Sequence, residues 1–125
     1  MVESVCTNIR SVAMAQTNYV IDIDDTIAKV DTSLPYERRE PIQHVIDTIN
    51  QKYKNGSKIV LFTARGMKTY GGDLNKIESA HREILEKWLV DHGVLYHELV
   101  FGKPWMENVY YVDDRAMTID QFTAP

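Results

Sequence analysis

The stretch Tyr19-Val20-Ile21-Asp22-Ile23-Asp24-Asp25-Thr26 decides the fold. Tyr19 to Ile23 is a β-branched and aromatic run of the kind buried on both faces of a sheet, and it ends abruptly in three carboxylates, Asp22, Asp24 and Asp25. A parallel strand with acids at its C-terminal tip is predicted. Downstream, Pro41 suits the first position of a helix, and Ile42, Val45, Ile46, Ile49 and Tyr53 recur at three- and four-residue spacing before Gly56. Ile59-Val60-Leu61-Phe62 reads as a second buried strand, again ending in polar residues, Thr63 and Arg65, which completes a βαβ unit.

The pattern continues outward. A loop with Gly66, Gly71 and Gly72 precedes a helical stripe of Ile77, Ala80, Ile84, Leu85, Trp88 and Leu89, closed by Gly93. Glu98 to Phe101 and Val109 to Val112 are two more short strands, separated by Gly102-Lys103-Pro104. Strands alternating with helices define an α/β class with a mostly parallel, Rossmann-like three-layer sheet. Residues 18–125 are expected to form one domain, and residues 1–17, which lack a clear period, an N-terminal extension.

Composition narrows the function. The chain has 125 residues, 44% hydrophobic and 26% charged, the balance of one soluble globular domain with a real core. Its net charge of -4 disfavours binding to polyanionic nucleic acid. Cys6 is the single cysteine, so an intrachain disulfide or a thiolate zinc cluster cannot form, and the cytoplasm is the expected compartment. No apolar run is long enough to span a bilayer, and Glu3, Asn8 and Arg10 break up any signal-peptide core.

In an open parallel sheet the ligand crevice lies beyond the carboxyl ends of the strands. Those ends carry Asp22 and Asp24, Thr63, and Asp113 and Asp114, with Lys103 just before the last strand. Several carboxylates gathered there repel one another unless a cation neutralises them, and an all-oxygen donor set favours a hard ion such as Mg²⁺. A metal, a lysine and a hydroxyl suit a transferring phosphoryl group, and a carboxylate in line with phosphorus is a competent nucleophile.

Asp22-Ile23-Asp24-Asp25-Thr26, then Thr63, Lys103 and Asp113-Asp114, in that order, resemble the four motifs of haloacid dehalogenase superfamily phosphatases. Thr63 to Tyr70, Gly102-Lys103-Pro104-Trp105 and Tyr111 to Ala116 are similar to the small capsule-biosynthesis branch. The resemblance implies Asp22 as nucleophile and metal ligand, and Asp24 as general acid and base whose backbone carbonyl binds the metal. It further implies that Thr63 holds a phosphoryl oxygen, that Lys103 neutralises nucleophile and phosphate, and that Asp113 and Asp114 complete the metal site. A sugar phosphate of surface-polysaccharide biosynthesis is the implied substrate, with a nucleotide or polynucleotide as the alternative. A phospho-accepting signalling or scaffold domain is the non-enzyme alternative; a receiver, however, would carry its phosphorylated Asp where Thr63 stands.

The substrate-facing set is expected to comprise Thr63, Ala64, Arg65, Lys103 and Trp105, with Trp105 as a pocket wall. Arg38 and Arg39 are weaker candidates of the same kind. The intervals Thr26–Lys58 and Ala64–Gly102 are too short to hold a cap domain besides their helices, which predicts an open, capless site closed by short loops or by a neighbouring subunit of a homo-oligomer.

Overall fold

The computed structural model of the protein describes residues 16–124. Strands β1 (Asn18–Asp22), β2 (Lys58–Thr63), β3 (Glu98–Phe101) and β4 (Val109–Val112) form one sheet in the order β3-β2-β1-β4, and every pair is parallel. The class is therefore α/β and Rossmann-like, with helices flanking an all-parallel sheet among the described residues. Most of the expected extension, residues 1–15, lies outside them. Gln16 and Thr17, by contrast, are tied to the fold: Lys58 N–H donates to the Thr17 carbonyl (3.1 Å) and Gln16 Nε2 to that of Gly56 (2.9 Å).

Side chains alternate across the sheet. Ile21, Ile23, Ile59, Leu61 and Leu99 point to one face, where they pack with Ile46 and Ile49 of helix α1 (Gln43–Lys54) and Leu85, Trp88 and Leu89 of helix α2 (Leu74–Asp91). Full burial of one such aliphatic side chain is worth about 1.5–3 kcal/mol, so this face carries most of the stability. β1-α1-β2 and β2-α2-β3 step in the same direction across the sheet, and right-handed crossovers put both helices on that face. The second face holds Val20, Val60 and Phe62, partly covered by Met106 from the connection that carries the chain back past β2 and β1 to β4.

Two local expectations need correction. Pro41 does not open the helix; it forms an antiparallel bridge with Ala28, and α1 starts at Gln43. Lys29 N–H donates to the Glu40 carbonyl and Ile42 N–H to that of Ile27, so residues 28–41 leave and rejoin the core at a pinned base. Ile84 stands partly exposed to solvent on α2, whose buried stripe is Ile77, Leu85, Trp88 and Leu89. Between β1 and α1 the only helical element is the short 3-10 turn Tyr36–Arg38, and the segment from Ala64 to Asp73 is a run of turns.

Candidate active site

Strand register brings the acids together. Ile21 pairs with Val112, so the next residues along both chains, Asp22 and Asp113, emerge side by side at the carboxyl edge. Strand order reverses at β1, which makes this edge the switch point where an open α/β sheet leaves a crevice. Asp22, Asp113 and Asp114 each present a carboxylate oxygen, all within 4.8 Å of one another. Burial, then a hydrogen bond shared with Asp114 and the charge of Asp113, push the Asp22 carboxyl up to about 7, against the donating Thr26 hydroxyl (3.2 Å). A cation would relieve the cost of gathering these charges, and three carboxylates with no nitrogen or sulfur donor fit a hard divalent ion.

A tight turn fixes the next acid. The Ile23 carbonyl accepts from the N–H groups of Thr26, Ile27 and Ala28, and Asp25 takes a left-handed conformation with φ 63°. The Asp25 carboxylate stabilises that turn by accepting from Val30 N–H at 2.9 Å. Asp24 thereby projects towards β2. Thr63, fully buried at the end of β2, donates its hydroxyl hydrogen to Asp24 Oδ2 (3.1 Å) and accepts from Arg65 N–H (3.1 Å). Its single donor is thus spent on Asp24, so a phosphoryl oxygen would have to displace that bond.

Arg65 completes the arrangement. Its Nε lies 3.0 and 3.1 Å from the two Asp24 oxygens and its Nη2 lies 2.8 Å from Oδ1, a charge-assisted fork in which the Arg65 side chain is 3% exposed and that of Asp24 23%. Ala64, Arg65, Asp22, Asp24 and Asp114 all border a cavity of about 600 Å³. Lys103 approaches from the β4 side, with Nζ 4.0 Å from Asp113 Oδ2 and 4.7 Å from the Tyr111 ring centroid. The structure does not bring Trp105 to the cavity: the residue is 77% exposed and absent from the lining, because the chain turns between Lys103 and β4. Arg38 is exposed as well, whereas Arg39, its neighbour, lines the cavity.

Sequence reasoning gave no weight to Tyr36 and little to Arg39, yet both sit at the site. The Arg39 and Arg65 guanidinium carbons lie 4.3 and 4.2 Å from the Tyr36 ring centroid, and Arg39 Nη1 is 3.8 Å from Asp24 Oδ1. The one usable signal was the three-residue spacing of Tyr36 and Arg39 after Pro35, which places both on one side of a single 3-10 turn.

Fold and site together define an α/β protein with a carboxylate cluster and a guanidinium-bound acid at the switch point of a parallel sheet. The chain belongs to one family with a structural-genomics target from Vibrio cholerae whose crystal structure it matches at 35% identity and TM-score 0.68, over 86% of this chain and 87% of that one. Two structures of a Pnkp1/Rnl/Hen1 complex, one described as an RNA repair complex, share the fold at 15% and 18% identity with TM-scores of 0.54 and 0.55. They align with 94% and 85% of this chain but only 36% and 32% of the other. No protein-family profile and no curated protein matches the sequence.

Proposed function

We propose that the protein is a Mg²⁺-dependent phosphomonoester hydrolase of the haloacid dehalogenase superfamily, acting through an aspartyl-phosphate on Asp22. The observation that carries this reading is the pair of acids two residues apart, Asp22 in the carboxylate cluster and Asp24 held apart from it by Thr63 and Arg65. Different surroundings give the two acids different tasks.

In the first step an Asp22 oxygen attacks phosphorus in line. The bond from phosphorus to the ester oxygen breaks, its electron pair goes to the leaving oxygen, and Asp24 supplies the proton. In the second step Asp24 takes a proton from water, the water oxygen attacks phosphorus, and the bond to Asp22 breaks to release phosphate. Lys103, close to Asp113, balances the charge that builds up on the phosphoryl oxygens. Asp22, Asp113 and Asp114 would hold a divalent ion, which would supply Lewis-acid polarisation of the phosphoryl oxygens. The substrate class we favour is a sugar phosphate of surface-polysaccharide biosynthesis, on the sequence resemblance. The net charge of -4 favours a small substrate over a polynucleotide.

Release of phosphate from p-nitrophenyl phosphate, measured with and without Mg²⁺ in wild type and Asp22→Asn, tests the reading. Turnover that needs both Mg²⁺ and Asp22 supports it; no turnover, or turnover unchanged in Asp22→Asn, refutes it.

A further inference from the structure

Arg39 carries guanidinium donors that its surroundings among the described residues do not satisfy. Its side chain is 90% covered, with a side-chain exposure of 10%, and Nε is buried with no hydrogen-bond partner among the described residues. None of its guanidinium donors makes a hydrogen bond there; its nearest acid, Asp24 at 3.8 Å, already receives three hydrogen-bond contacts from Arg65 and one from Thr63. Leaving a buried charged donor unpaired is costly, whereas supplying an anionic acceptor turns that cost into a strong interaction.

The position of Arg39 is nevertheless fixed. Trp88 Nε1, from the core face of α2, donates to the Arg39 carbonyl at 2.9 Å, and the Tyr36 ring lies beneath the guanidinium. Two more cations, Lys68 and Arg115, line the same cavity as Arg39 and Arg65. Four acids, Asp22, Asp24, Asp25 and Asp114, line it too; Asp22 and Asp114 belong to the carboxylate cluster, whereas Arg39 and Arg65 both lie against Asp24.

We infer that Arg39, with Arg65 and the Tyr36 ring, forms a subsite for a second anionic group carried by the alcohol part of the substrate. This rests on the phosphatase reading for what occupies the other end of the cavity. The Arg39 guanidinium matches the paired oxygens of carboxylate or phosphate, and Tyr36 restricts how it is presented; Arg65, whose Nε and Nη2 are held by Asp24, adds positive charge beside it. Binding there would supply the acceptor that Arg39 lacks and leave the Arg65 grip on Asp24 in place.

The test is equilibrium binding by calorimetry, in Mg²⁺, of phosphonocarboxylates of increasing chain length, each matched with its neutral carboxamide. The phosphonates cannot be hydrolysed, so the measurement is independent of turnover. At the best chain length the carboxylate should bind wild type about ten- to a hundredfold more tightly than its amide, the range of one or two charge-assisted hydrogen bonds. In Arg39→Gln that preference should fall to about threefold or less. Equal binding of acid and amide by wild type at every length overturns the inference, whether or not Arg39→Gln folds, and so does an undiminished preference in a folded Arg39→Gln. A tenfold preference in a protein that never hydrolyses p-nitrophenyl phosphate would leave the subsite standing and reject the phosphatase reading.

Discussion

Arg65 grips Asp24 through both carboxylate oxygens, with contacts of 2.8 to 3.1 Å, although the two residues lie 41 positions apart in the chain. The grip joins the loop after β1 to the loop after β2, across the mouth of the crevice. Removing one partner of such a pair leaves the other charge poorly compensated at a site shielded from water, which costs about 3–5 kcal/mol in buried pairs. Arg65→Lys keeps the charge but loses the fork. In steady-state assays it should retain most of its thermal stability while kcat/KM for an alkyl phosphate falls about tenfold to a hundredfold, the scale of a misplaced catalytic group. Unaltered kinetics would show that the grip does not position Asp24.

Asp24→Asn separates the two chemical steps. A nitrophenolate leaves without a proton, so formation of the phosphoenzyme from p-nitrophenyl phosphate should survive while its hydrolysis, which needs a base, slows by about 100- to 10,000-fold. Stopped-flow absorbance should then show a burst of nitrophenol followed by slow turnover. A single slow phase from the start would assign Asp24 a different role.

Removing Asp114 should act in opposite directions on the metal-free and metal-loaded protein. Its carboxyl contributes to the upward shift of Asp22, and the two oxygens lie within the 4.8 Å cluster. Asp114→Asn should therefore raise the melting temperature of chelator-treated protein, because one like charge is gone. In the same variant the stabilisation that wild type gains from saturating Mg²⁺ should shrink. A full Mg²⁺ response in Asp114→Asn would restrict the ligand set to Asp22 and Asp113.

Gly66 shows how the loop after Arg65 is built. Its φ of 77° lies in the left-handed region, and a Cβ there would meet His81 Cδ2 at 3.0 Å and Tyr70 Cδ2 at 3.2 Å. Gly71, at φ 58°, has nothing within 4 Å of such an atom. Chemical denaturation should find Gly71→Ala destabilised by about 1–2 kcal/mol, the cost of the left-handed conformation alone, and Gly66→Ala by more. Equal losses at the two positions would mean that the contact with His81 is easily relaxed.

His81 gives the protein a pH dependence with a definite sign. Burial first, then the nearby Arg65 charge, hold its imidazole below the ordinary value of 6.5, while Asp24 opposes the shift. The unfolded chain therefore takes up a proton first as pH falls through about 6.5, so this contribution to stability is complete above that value and declines below it. Melting temperatures recorded from pH 7.5 down to about 5 should fall less steeply for His81→Gln than for wild type. Parallel curves would show that His81 does not contribute to the pH dependence of stability.

The sheet was legible in the sequence because its strands are short, β-branched and bounded by acids or glycine, and parallel register then put Asp22 beside Asp113. Thr63 and Arg65 were legible for the same reason, as polar residues at the end of an apolar strand. Tyr36 was not, and Arg39 only weakly, as one of the pair Arg38 and Arg39. They belong to the excursion closed by the Ala28–Pro41 bridge, where no hydrophobic period exists and the placement depends on contacts with α2, among them Trp88 to the Arg39 carbonyl. Trp105 failed in the opposite sense, since its nearness to Lys103 in sequence did not survive the turn into β4, and Ile84 completes an apolar period that the helix leaves partly in solvent.

The measurement that bears most directly on the central claim is peptide mapping of the acid-quenched reaction of Asp24→Asn with p-nitrophenyl phosphate in Mg²⁺. Phosphate is expected on the peptide containing Asp22, at the carboxyl end of β1, with none when Asp22→Asn is combined in the same chain. Turnover with phosphate on another residue, or on none while Asp22→Asn remains active, would contradict it.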